Sequence, residues 1–133
     1  MEEPSLEERA RRVLEACRRA GERLALAEAS TGGLVSASLT DIAGASAVVE
    51  RGFVPYSNEA KTEQLGVPVE LMVAHGAVSE QVALALARGA LARSHATLAF
   101  AETGIAGPSG GVGGEAGGAR VPRGDAAGWD ARG

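Results

Sequence analysis

The chain has 133 residues, 45% of them apolar and 23% charged, the balance of a single soluble globular domain with a core of its own. A net charge of −4 lacks the basic excess of a phosphate-tracking surface, and no apolar run reaches the length of a membrane span, so neither a nucleic-acid nor a membrane partner is expected. One cysteine, Cys17, excludes an intrachain disulfide and a cysteine-based metal cluster. The polar, acidic start MEEPSLEERARR is unlike a signal peptide, so a cytoplasmic location is expected.

Ser5 and Glu8 form a capping box, and Leu6, Ala10, Val13, Leu14 and Cys17 follow at helical spacing up to Gly21. A helix over about Leu6 to Ala20 is therefore predicted, with Cys17 on its apolar face. Leu24–Ala27 reads as a buried strand that runs into Glu28 and the turn AEASTGG. Leu34 to Ile42 reads as a short helix of small residues stopped by Gly44. Ala47–Val49 and Gly52–Tyr56 read as extended segments, with Pro55 at a strand end or on an edge because it has no N–H to give a ladder. Asn58 is the expected cap of a two-turn helix ending at Gly66, and Pro68 opens another short helical piece. Ser79 caps the strongest helix, Glu80 to Ala92, whose Ala and Leu residues cover most of its circumference. Ala96–Ala101 reads as a second buried strand, followed by Glu102, Thr103 and the loop GIAGPSGG.

Strands alternating with helices predict an α/β domain with a mainly parallel sheet. Ligands bind such sheets at the carboxyl ends of strands, where both glycine-rich loops emerge. The first turn offers backbone N–H groups at Gly32 and Gly33 and hydroxyls at Ser30 and Thr31, a setting suited to an anionic group. Glu28 reads as an orienting group beside it. The second loop lacks the G-K-[ST] ending of a P-loop, which argues against an NTPase. Two separated histidines, His75 and His95, give a metal site little support, so no metal is expected. After residue 113 the apolar periodicity ends: 11 of the 19 glycines lie between Gly104 and Gly133. Residues 1–113 are expected to form the domain and 114–133 a disordered tail.

The motifs AEASTGG, YSNEAK, GAVSE and TGIAGP, in that order across roughly residues 6 to 111, resemble the C-terminal domain of the competence/damage-inducible CinA family. Its stand-alone members include nicotinamide-nucleotide amidohydrolases. The resemblance implies a three-layer α/β/α fold and metal-free, cofactor-free hydrolysis of the carboxamide of nicotinamide mononucleotide, giving nicotinate mononucleotide and ammonia in pyridine-nucleotide salvage. It also implies a homo-oligomer where the fold is complete. Carried over by motif, Lys61 is the base, Tyr56 an aromatic hydroxyl that orients the substrate or the proton path, and Ser30 a candidate nucleophile. Glu28, Thr31, Gly32 and Gly33 form one wall of the substrate site; Thr103, Gly104, Ala106 and Gly107 form the other.

Two departures stand out. The family's serine falls on Ala29, with Ser30 at the variable position beside it, which leaves open a catalytically impaired nucleotide-binding relative. The strands and closing helix that follow the G-P-x-G-G loop in the family are also missing, which leaves open an inactive fragment with an open sheet edge and an exposed core face. The Gly/Ala/Arg-rich tail reads like an out-of-frame translation of a GC-rich gene.

Overall fold

The computed structural model describes residues 2–104 and 114–120, together with the backbone of 130–132. In chain order the elements are α1 (Leu6–Ala20), β1 (Leu24–Glu28), α2 (Leu34–Thr40), a 3-10 turn (Ala45–Ala47), β2 (Val49–Phe53), α3 (Asn58–Leu65), α4 (Val69–His75), α5 (Glu80–Ala92), β3 (Leu98–Gly104), β4 (Gly114–Arg120) and β5 (Asp130–Arg132). Among the described residues they form one five-stranded sheet of order β2-β1-β3-β4-β5. β1 pairs in parallel with β2 and β3; β4 and β5 add antiparallel strands. The architecture is α/β, with a mixed sheet.

Alternation along the central strands makes two unlike faces. Leu24, Leu26, Leu98 and Phe100 meet α1 and α2 through Leu14, Cys17 and Leu39. Ala25, Ala27, Ala99 and Ala101 meet α5 through Val82, Leu86, Ala87 and Ala90. The alanine face lets α5 lie close to the sheet, and the leucine face fills the wider gap under α1 and α2. Cys17 is buried and unpaired, and burial together with nearby Glu22 raises its thiol pKa, as a core residue requires.

Local signals set the helix ends. Ser5 accepts from the Glu8 amide at 3.1 Å, and Gly21 closes α1 in the left-handed conformation. α5 starts at Ser79, which accepts from the Val82 amide. The cap of α3 is Ser57, one residue before the expected Asn58, because the Ser57 hydroxyl reaches the Ala60 amide at 3.0 Å. Asn58 instead turns its Oδ1 to Lys61. Of the first extended segment expected, Ala47–Val49, Ala47 ends the 3-10 turn and Val48 caps it, so β2 starts at Val49 and runs through Glu50 and Arg51 to Phe53.

The other difference is larger. Residues 114–120, expected in a disordered tail, form β4 and cover the free edge of β3 in register from Leu98↔Arg120 to Gly104↔Gly114. Small side chains are the reason. A Cβ on Gly117 would stand 3.1–3.2 Å from Ala83 and Leu84 of α5, so a residue without a side chain suits the point where the strand passes beneath that helix. The β3 edge satisfies its backbone, and Ala119 is buried in the same core.

Candidate active site

β1 and β3 end side by side, with Glu28 directly opposite Glu102. Both carboxylates continue the face that carries Leu26 and Phe100, and each closes a different part of the turn that follows β1. Glu28 is fully buried. It accepts from the Val35 amide at 2.7 Å, the Ser36 amide at 2.8 Å, the Ser36 hydroxyl at 2.6 Å and the Thr31 hydroxyl at 2.6 Å. The first two donors are orphan N–H groups at the start of α2, whose own cap, Gly33, has no side chain. Glu28 therefore caps α2 from a neighbouring strand. Burial pushes its pKa up, but the Ser36 and Thr31 hydroxyls and the two amides outweigh it, and the carboxyl lies below its ordinary value.

Glu102 does the corresponding work for the first half of the turn. Its Oε1 accepts from the Ser30 amide at 3.0 Å, the Thr31 amide at 3.1 Å and the Thr31 hydroxyl at 2.9 Å. Its Oε2 accepts from the Ser30 hydroxyl, the one donor to it among the described residues. Burial again raises the pKa, and the donors from Ser30 and Thr31 bring it below the ordinary value. Gly32 and Gly33 complete the turn at φ +67° and +108°, a conformation that side-chain-bearing residues rarely adopt. Gly104 leaves room beside Ser30, since a Cβ there would stand 3.2 Å from the serine Oγ.

Lys61 is the third charged group. It is 5% exposed and donates from Nζ to the Tyr56 carbonyl at 3.0 Å and to Asn58 Oδ1 at 3.3 Å. Burial lowers its pKa; Glu102 and Glu59 pull it partly back. A buried amine whose hydrogen-bond acceptors are neutral is less firmly held in its charged form than a solvated lysine.

The other sequence-predicted site residues divide. Thr31, Gly32 and Gly33 line the turn, and Thr31 is exposed. Thr103 is buried, and its hydroxyl donates to the Ala77 carbonyl at 2.9 Å, tying the end of β3 to the start of the α5 segment. Tyr56 carries 62% exposure on its side chain while its carbonyl holds Lys61. Ala106 and Gly107 lie outside the described residues. Ala29 is 4% exposed and belongs to the core on the α5 face, whereas Ser30 turns to Glu102. Glu102 is the residue the sequence reading left out. The signal was present, since LALAE at 24–28 and LAFAE at 98–102 are two strands of one pattern, each ending in a carboxylate.

A family model described as the CinA C-terminal domain matches residues 6–121. The chain belongs to the CinA C-terminal domain family. It is 61% identical over 70 residues to a CinA-like protein of Anaeromyxobacter dehalogenans, a stretch that is 53% of this chain and 17% of that protein. It is likewise 61% identical over 74 residues to a CinA-like protein of Mycolicibacterium gilvum, 56% of this chain and 18% of that one. The chain thus spans less than a fifth of the curated CinA relatives it matches. Among solved structures, a competence/damage-inducible CinA-family protein from Agrobacterium tumefaciens superposes with a TM-score of 0.78 at 47% identity, over 92% of this chain and 78% of that one. A CinA superfamily protein from Klebsiella pneumoniae gives 0.81 at 34% identity, over 97% and 81%. Among the described residues, no helix is long and apolar enough to cross a membrane.

Proposed function

We propose that the chain hydrolyses the carboxamide of nicotinamide mononucleotide to nicotinate mononucleotide and ammonia. The observation that carries this reading is the hydroxyl of Ser30, half-buried at the carboxyl end of the parallel strands and held by a carboxylate, with the buried amine of Lys61 nearby. Amide hydrolysis needs a nucleophile, a proton acceptor for it and a charged or polar setting for the oxyanion, and these groups supply that set. Ser30 attacks the carboxamide carbon, and Gly32 and Gly33 offer backbone donors on one wall. Family membership favours this substrate over other amides, and pyridine-nucleotide salvage is the corresponding role.

A second reading has its own support. Position 29, where the family's serine falls, is a buried alanine on the α5 face, and the described partners of Lys61 are a carbonyl and an amide oxygen, not a hydroxyl. In this reading the chain binds the nucleotide without turning it over.

The test is ammonia release from nicotinamide mononucleotide by the purified full chain. The first reading expects release that is lost in Ser30→Ala and in Lys61→Met, with the urea midpoint of Lys61→Met not lowered, because burying a methionine avoids the desolvation that lowers the lysine pKa. Tight binding without release, with hydrolysis appearing in Ala29→Ser, establishes the second.

A further inference from the structure

Any hydrolysis by Ser30 requires a group that receives its proton, and the candidates among the described residues are Lys61 and Glu102. Lys61 is held by the Tyr56 carbonyl and Asn58, and a lysine receives a proton only in its neutral form. Glu102 already accepts the Ser30 hydroxyl. We propose that Glu102 is the catalytic base of this site, paired with Ser30 across the β1–β3 boundary, with Lys61 acting as a neighbouring charge and not as the proton acceptor. The proposal rests on the amidohydrolase reading for its substrate, but the pairing itself is a property of the chain.

The two oxygens of Glu102 have different surroundings, and this is the main argument. Oε1 holds three donors: the amides of Ser30 and Thr31 and the Thr31 hydroxyl. Those bonds fix the carboxyl plane whatever happens at the other oxygen. Among the described residues Oε2 accepts from the Ser30 hydroxyl and from no other donor, which makes it the oxygen placed to take a proton and give it back without the group moving. Among the described residues, Glu28 from β1 shares the Thr31 hydroxyl with Glu102, and Lys61 on α3 is close enough for the Glu102 charge to act on it. β4 sets Ala116 opposite Glu102, and the adjacent Glu115, opposite Thr103, is exposed on the other face.

The reaction balances with these groups. The Ser30 proton passes to Glu102 Oε2 as Ser30 Oγ bonds to the carboxamide carbon and the carbonyl electrons move to oxygen. When the tetrahedral centre collapses, the carbon–nitrogen bond breaks and Glu102 returns the proton to the leaving nitrogen, releasing ammonia and an ester on Ser30. Water then attacks the ester carbon and gives a proton to Glu102, which passes it to Ser30 Oγ as the ester bond breaks. The sum is amide plus water to carboxylic acid plus ammonia.

The two possible bases predict opposite pH profiles. A carboxylate base is ionised across the neutral range, so kcat/KM stays flat there and falls only as acid protonates Glu102. A lysine base must lose its proton, so kcat/KM climbs towards alkaline pH. The experiment measures kcat/KM of the full chain from pH 4 upward for the native sequence, Glu102→Gln and Glu102→Asp, with nicotinamide mononucleotide as substrate. Gln keeps a carbonyl oxygen for the three Oε1 donors but places an amide where Oε2 was. The expected result is a flat native profile with an acid limb, a loss of about 10²–10⁴-fold in Glu102→Gln, and partial activity in Glu102→Asp. An alkaline-rising native profile, with folded Glu102→Gln within a few-fold of native, overturns the proposal. A second readout needs no turnover: covalent labelling of Ser30 by a fluorophosphonate, located by mass spectrometry. Labelling that drops in Glu102→Gln, in a chain that releases no ammonia, keeps the pair and removes the substrate reading. Turnover with Ser30 labelling indifferent to Glu102 removes the pair.

Discussion

Glu28 has no exposed surface and still carries a charge, because four donors surround it. A buried carboxylate without partners would be protonated or would unfold the site. Its removal is correspondingly expensive. Glu28→Ala strands two amides of α2 and the Ser36 hydroxyl, and we expect a loss of about 3 kcal/mol in unfolding free energy, read from urea midpoints at pH 7. The pH dependence has a definite sign. The folded pKa lies below the ordinary carboxylate value, so the stabilisation is fully present above about pH 4.3 and is lost as pH falls through the folded pKa. The difference between native chain and Glu28→Ala therefore shrinks on acidification. Glu102, also lowered, contributes with the same sign.

α5 shows how one residue sets the distance between elements. Gly89 sits in the middle of a helix where alanine is preferred by about 1 kcal/mol. A Cβ there, however, would stand 2.0 Å from the Leu65 carbonyl oxygen at the end of α3. The clash is with backbone, which cannot rotate away, and overpacking of this kind costs about 1–3 kcal/mol or more. The steric term exceeds the propensity term, so Gly89→Ala is expected to lower the thermal midpoint in calorimetry; an unchanged or higher midpoint would show that α5 and α3 can separate freely. This contact matters for the site because α3 carries Lys61, four residues before Leu65. Helix ends were legible where the cap is a local matter, as at Ser5, Gly21 and Ser79. They were not where two hydroxyl or amide residues compete, as at Ser57 and Asn58, since only the chain path into the helix selects between them.

Across the molecule, the unevenness of the two sheet faces is the main physical feature. The alanine face is closed by α5. The leucine face is covered by α1 and α2 over β1, but beside β3 and β4 it opens into a groove of 630 Å³ lined by Val13, Cys17, Leu26, Leu39, Leu98 and Phe100. The open edge expected at β3 is not there, because β4 covers that strand. An apolar groove of this kind takes up polarity-sensitive dyes. We expect 8-anilinonaphthalene-1-sulfonate to fluoresce with the native chain and the signal to fall in Val13→Glu, which puts a carboxylate at the mouth on a residue exposed enough to tolerate it.

The sequence by itself determined the order of helices and strands from α1 to β3, the family and the place of the AEASTGG turn, because each depends on local periodicity, caps and motif spacing. Only the tertiary structure decided which side chains meet. That Glu28 caps α2 as well as holding Thr31 and that Thr103 is tied to Ala77 are packing outcomes, and that Ser30 is held by Glu102 from 72 residues away follows from two parallel strands lying in register. β4 was likewise beyond the sequence pattern. A glycine- and alanine-rich run has no periodicity to read, and it becomes a strand because the edge of β3 offers it a ladder and its glycine at 117 lets it pass close under α5.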